Sequence, residues 1–221
     1  MGKPGLRRAS LPRLLTILLV GAPSIATAQV QAGMTMGVSM PSRSPLVKEF
    51  GGVNGNPVSY PVLEKWQVVS FVLFARVTRW TSGRLGFEAT AGVSPGRVAS
   101  SDSTNRVRES FSLPVMLSLR APIRLSTTST GLIVHFAPGL GYILYGGPAW
   151  NGFTSRGQPA AVLALGGRGR MGRRSRMWFR FDIEDWVSRT AFSAGGVPLT
   201  RRLHNFANYS AGLVFQLGNR R

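Results

Sequence analysis

From Met177 to Ile183 the chain places Met177, Phe179, Phe181 and Ile183 at alternate positions, with Arg180, Asp182 and Glu184 interleaved. A helix would scatter these two sets around its circumference. An extended strand sends them to opposite faces, one wholly apolar and the other charged. Such a strand needs a partner surface for each face, and that requirement constrains the fold more than any other feature of the chain.

The same alternation recurs in seven other segments. Val30 to Met40 sets methionine, valine and alanine against Gln31, Gly33, Thr35, Gly37 and Ser39. Val69 to Val77 opposes Ser70, Arg76 and Thr78, and Leu85 to Val93 opposes Gly86, Glu88, Thr90 and Gly92. Phe111 to Leu119 faces away from Ser110, Ser112 and Ser118, and Leu132 to Leu144 from His135, Gly139 and Gly141. Ala161, Leu163 and Leu165 oppose Gly166, Arg168 and Arg170. The last segment puts Tyr209, Ala211, Leu213, Phe215 and Leu217 against Asn208, Ser210, Gly212, Val214 and Gln216. Each has about the ten residues that a tilted strand needs to cross a bilayer.

The connections alternate in length. Thr81 to Gly83, Ser126 to Thr130 and Arg173 to Ser175 are short, whereas Pro41 to Lys65, Gly96 to Arg108, Gly146 to Pro159 and Ser193 to Phe206 are long. The long ones are rich in glycine, proline, asparagine and serine, as loops are. Eight strands joined in this rhythm predict an all-β, eight-stranded antiparallel up-and-down barrel with both termini on the short-turn side.

Residues 1–28 stand apart from that pattern. Lys3, Arg7, Arg8 and Arg13 precede a short apolar core from Leu14 to Ala22, and Ala26-Thr27-Ala28 follows. This arrangement predicts a cleaved signal peptide and a barrel domain over residues 29–221. The exported chain has no cysteine, so no disulfide is available to stabilise it. The absence of a long apolar run after the signal excludes helical membrane spans.

An eight-stranded meander can point its apolar face either way. A soluble, lipocalin-like barrel turns it inward around a ligand, and a transmembrane barrel turns it toward lipid. The polar face favours lipid. It carries Gly33, Gly37, Gly86, Gly92, Gly139, Gly141, Gly166 and Gly212, small residues suited to a narrow interior. It also carries charges of both signs, Arg76, Arg168, Arg170 and Arg180 against Glu88, Asp182 and Glu184. His135 shares that face. Trp66, Trp80, Trp178, Trp186, Tyr142, Tyr145 and Tyr209 fall near strand ends, where they are expected to form interfacial girdles.

Ser210-x-Gly212-x-x-Phe215-x-Leu217 resembles the polar-x-Gly-x-x-apolar-x-apolar signal by which outer-membrane barrels are recognised by their insertion machinery. With the signal peptide and eight segments, the mature chain resembles small bacterial outer-membrane barrels of the A, X and W types. The family pattern often stops on the final aromatic, whereas Gly218-Asn219-Arg220-Arg221 follow here. The resemblance implies residence in the outer membrane of a diderm bacterium.

Catalytic chemistry is hard to assemble. The chain has two histidines, His135 and His204. Some small outer-membrane barrels that modify lipid A pair histidine with serine, but Phe136 and Ala137 follow His135 here, which leaves no His-x-Ser on that strand. No cofactor or metal is implied. The luminal charges admit a static ion-pair plug or a gated path, and the narrow interior favours the plug.

Net charge is +19, nearly all of it arginine. Arg79, Arg84, Arg120, Arg124, Arg173, Arg174, Arg176, Arg220 and Arg221 gather at the turn end, and Arg43, Lys48, Arg97, Arg106, Arg108, Arg156, Arg201 and Arg202 in the loops. The turn-end set is either solvated or set against inner-leaflet lipid phosphates or a periplasmic polyanion, and the loop set suits lipopolysaccharide phosphates. Nucleic-acid recognition is not expected, because no binding motif accompanies the charge. The expected role is therefore structural or surface-interacting, in a monomer. A narrow pore for small or apolar solutes is the alternative, and a lipid A-modifying enzyme comes third.

Overall fold

The computed structural model describes residues 29–42, 47–48, 64–81, 83–101, 107–128, 131–154, 156–172, 175–194, 197–198 and 201–217. The signal peptide expected over residues 1–28 and the tail from Gly218 lie outside them. Eight antiparallel strands form the wall: β1 (Gln29–Pro41), β2 (Ser70–Trp80), β3 (Gly86–Val93), β4 (Val107–Arg120), β5 (Ile133–Gly146), β6 (Gly157–Arg170), β7 (Met177–Thr190) and β8 (Arg202–Leu217). Each pairs with the next in sequence, and β1 closes on β8 from Val30–Leu217 to Pro41–Phe206. The barrel is closed and up-and-down, as the alternation predicts, so no edge strand is left in the wall.

Strand parity decides sidedness. Phe179 is 46% exposed and Phe215 48%, and Met34, Phe87, Leu119, Leu140 and Leu165 share their outward face. Glu88, Asp182 and Glu184 are about as buried as any residue in the chain, at 1–2% exposure. An apolar belt of this extent, continuous around the wall, is stable only against acyl chains. The chain therefore builds a membrane barrel, and the soluble alternative is excluded by the direction its apolar side chains face.

All four of the expected long loops contain short strands. Phe153–Thr154, Ser193–Ala194 and Val197–Pro198 pair into a small separate sheet, and those of the first two loops extend the wall. After a break at Ser94–Pro95, Gly96–Ser101 continues the β3 path and pairs with Val107 to Ser112 of β4. Glu64–Gln67 joins its other side, and Val47–Lys48 pairs with Glu64 and Lys65. The wall is thus taller on one side at the loop end. Val98 anchors this extension, since it is buried in the luminal apolar cluster while Arg97 points out. At the turn end, β4 breaks at Ala121–Pro122 and resumes as Ile123–Thr127, paired with β5. That hairpin turns at Thr128, whose carbonyl accepts the Gly131 N–H at 2.9 Å.

The aromatic girdle is the expectation that the fold corrects. Tyr142 and Tyr209 do face outward, but Trp80, Trp178, Trp186 and Tyr145 are buried inside the barrel and Trp66 is half-buried. Trp80, Trp178 and Trp186 have the parity of the charged residues in their own strands, and Tyr145 that of His135, so the pleat turns all four inward. They fill the lumen at two levels. Trp80 and Trp178 lie toward the turn end. Trp186 and Tyr145 join Phe74, Trp150, Phe153, Phe192 and Phe206 in an apolar cluster toward the loops.

Candidate functional site: the luminal charge cluster

Between those aromatic levels lies a layer of ion pairs. Arg180, Asp182 and Glu184 project inward from successive inward positions of β7, which places one cation and two carboxylates on a single ladder. Arg76 comes from β2, Glu88 from β3, Arg120 from β4 and His135 from β5. The layer therefore draws on five strands.

Glu88 is the first hub. It accepts from Arg180 Nη2 at 3.1 Å, from Thr78 Oγ1 at 2.7 Å and from Arg76 Nη1 at 3.5 Å. Arg180 also grips Asp182 through Nε at 2.7 Å and Nη2 at 3.0 Å. Glu184 is the second hub. Arg120 donates to it twice, Arg76 Nη2 donates to Oε1, and the Trp186 indole donates to Oε2 at 3.0 Å. His135 Nε2 lies 3.2 Å from Asp182 Oδ1. Arg76 and Arg120 stack over Phe74 and Trp186, at 4.7 and 5.4 Å from the ring centroids, which ties the charged layer to the apolar one above.

Arg76, Arg120 and Arg180 balance Glu88, Asp182 and Glu184 within this layer. Buried ions are costly unless each is paired and its remaining hydrogen-bonding capacity is met. Each of the three carboxylates takes at least two donors here, so the network satisfies that condition. Glycine makes the room. A Cβ at Gly166 would lie 2.9 Å from the His135 ring and 2.7 Å from the Phe181 carbonyl, and closer still to the Asp182 carboxylate.

The expected network is thus largely assembled, with two differences. Arg170 is exposed at the turn-end rim, its guanidinium 5.1 Å from the centre of the Trp178 ring. Arg168 is buried, yet it bonds Gln31 and stacks on Trp80 and Trp178 instead of joining a carboxylate. Arg120, expected among the turn-end arginines, is instead a central member. Its parity with Ser112 and Ser118 was the available signal. The apolar layer was missed for a related reason, since Phe74, Met116, Ile143 and Val162 occupy the inward face expected to be polar.

The terminal motif divides across the wall. Ser210 and Gly212 lie on the inward register of β8, and Phe215 and Leu217 face out. Gly212 sits against β1, where a Cβ would come within 2.7 Å of the Thr35 Cα. Glycine at this position lets the closing seam pack tightly. The second histidine, His204, lies inside the loop end with Ser42 Oγ 2.8 Å from Nδ1 and the Phe206 ring beside it. Among the described residues, no group of three or more His, Cys, Asp or Glu side chains is arranged to hold a metal ion.

No protein-family model matches the chain, and no curated protein matches it in sequence. Solved structures do. The outer membrane protein AlkL, determined in lipid bilayers by solid-state NMR, is 16% identical with a TM-score of 0.54, covering 100% of this chain and 99% of its own. Outer Membrane Protein W of E. coli is 12% identical, covers 88% of this chain and 100% of its own, and has a TM-score of 0.39. Ail of Yersinia pestis, solved with a heparin analogue, is 7% identical, covers 86% and 97%, and has a TM-score of 0.41. At these identities the likeness concerns fold. The AlkL comparison shows that the chain shares the barrel fold of an outer-membrane protein.

Proposed function

We propose that the chain is an outer-membrane barrel with a structural or surface-interaction role, plugged by its own side chains and displaying basic loops, with no catalytic role. The observation that carries this reading is the stacking of two closures in one narrow lumen. The ion-pair layer crosses five strands, and the aromatic cluster lies directly above it. A channel would have to open both, at the cost of separating buried charges.

Residence in the outer membrane draws support from the apolar belt and the AlkL-like fold. Arg97, Arg108 and Arg201 are exposed at the loop end, suited to lipopolysaccharide phosphates, which guanidinium binds through paired hydrogen bonds. The β8 motif would present Phe215 and Leu217 to the insertion machinery, and the barrel would act as a monomer.

A second reading, a narrow route for small apolar solutes, draws on the aromatic lining of the loop end. Conductance and liposome uptake test both. The plugged barrel predicts silence in planar bilayers at high voltage and no solute entry, and steady unitary currents or uptake would overturn it. Lipid A from cells with and without the protein should have the same acylation by mass spectrometry, and a changed pattern would reinstate an enzyme.

A further inference from the structure

The turn-end mouth of the lumen holds more positive charge than the ion-pair layer uses. Among the described residues, four arginines are buried in the lumen, Arg76, Arg120, Arg168 and Arg180, and three carboxylates, Glu88, Asp182 and Glu184. The carboxylates are engaged by the other three arginines, which leaves the Arg168 charge without a partner of its own. Arg168 is 3% exposed, and its one side-chain hydrogen bond goes to the neutral Gln31 amide. A buried charge in that position is costly.

The hydrogen-bonding inventory points the same way. Arg168 Nε, Arg124 Nε and Trp178 Nε1 are all buried, and none has an acceptor. Each is an N–H donor. They also belong to one cluster. The Arg168 guanidinium lies 4.3 Å from the Trp80 ring centroid and 5.5 Å from that of Trp178, and Arg124 lies 5.1 Å from Trp80. The unpartnered groups elsewhere in the lumen are mixed and include the acceptor oxygens of Asn208 and Gln67. Those suit water, which both donates and accepts. A set of donors carrying net positive charge suits an anion with several acceptor oxygens.

We infer that the turn-end mouth is a binding site for a tetrahedral oxyanion of the phosphate class, held by Arg168 and Arg124 with the Trp178 indole as a third donor. Charge-assisted bonds from guanidinium to phosphate oxygens are the stronger kind. Trp80 and Trp178 orient the guanidinium planes, and Arg170 at the rim adds positive potential at the entrance. The occupant would be either free phosphate or the phosphate of a lipid headgroup from the adjacent leaflet. The site is independent of whether the lumen conducts.

The test uses the mature barrel folded in an uncharged detergent, with tryptophan emission and thermal unfolding read against sodium phosphate and against sodium chloride at matched ionic strength. The expected result is a saturable emission change and a rise in unfolding temperature with phosphate, not reproduced by chloride. Arg168→Met should abolish the saturable response. Arg124→Gln, at a half-buried rim position where folding is less at risk, should weaken it about tenfold, as the loss of one charge-assisted hydrogen bond implies. Repeating the titration in phosphatidylglycerol nanodiscs separates the sources. A retained response identifies free phosphate, and a response suppressed there but present in detergent identifies the headgroup. No saturable response in the parent protein, an equal response to chloride, or an unchanged response in Arg124→Gln and Arg168→Met would each overturn the site.

Discussion

Arg120 and Glu184 meet inside the barrel through two parallel bonds, Nη1 to Oε1 at 2.9 Å and Nη2 to Oε2 at 2.8 Å. They come from β4 and β7, strands that are not neighbours in the wall. The pair therefore spans the lumen, and with Arg76 on the same carboxylate it links opposite sides of the barrel.

Glu184→Gln should be strongly destabilising. It leaves Arg76 and Arg120 buried with one fewer counter-charge, and breaking a buried pair from one side costs about 3–5 kcal/mol. The folded form should lose its heat-modifiable gel migration at a markedly lower temperature than the parent. Equal thermal resistance would mean that the network contributes little.

The exposed pair Arg97–Glu109, at 2.8 Å, gives the contrast. Its side chains are 72% and 47% exposed, so solvent and salt screen the attraction. Arg97→Ala should change stability by no more than about 0.2–1 kcal/mol. Urea titration of both variants in the same detergent compares the two pairs directly.

Gly166→Ala tests whether the inward glycines exist to make room. The added methyl meets the Asp182 carboxylate, the His135 ring and the Phe181 carbonyl at once. Overpacking of this kind costs about 1–3 kcal/mol, and the urea midpoint should fall accordingly. A substitution without effect would show that the layer can yield.

Trp186→Ala tests the apolar closure. The indole is fully buried, stacks on Phe74 with centroids 6.3 Å apart and donates to Glu184. Its loss should cost about 3–5 kcal/mol. The Glu184 ion pairs remain, so planar-bilayer recordings should stay silent. Open-channel currents in this variant would assign the seal to the aromatic layer alone.

Phe181→Arg tests the lipid-facing belt. Phe181 points outward from β7 beside the inward Arg180 and Asp182. An arginine on the lipid face near the bilayer midplane costs about 2–4 kcal/mol. Folding yield into lipid vesicles should drop. An unchanged yield would show that this surface does not meet acyl chains.

Strand number, strand order and the facing of the charged, glycine and outward apolar positions in the wall were legible in the sequence. Period-two alternation is local, and in a closed antiparallel meander the connections fix neighbours. The strand extensions at Gly96–Ser101 and Ile123–Thr127 were harder to see. Each follows a proline-containing break, Ser94–Pro95 and Ala121–Pro122, and the residues beyond such a break look like loop until their new partners are known. The inward aromatics were legible in principle, because Trp178 and Trp186 share parity with Arg180 and Glu184. The expectation of a membrane girdle outweighed that parity.

By itself the sequence determined which residues face lipid and which face the lumen, because the pleat assigns faces one residue at a time. Only the tertiary structure decided which inward residues share a level. That depends on the register between strands: β3 sets Glu88 beside Arg120, and β7 sets Arg180 beside Gly212. It depends as well on how closure brings β4 and β7 across a narrow interior. For this reason Arg120 joined Glu184 at the centre while Arg168, on the same face as the other buried arginines, was left at the mouth with two indoles and no carboxylate.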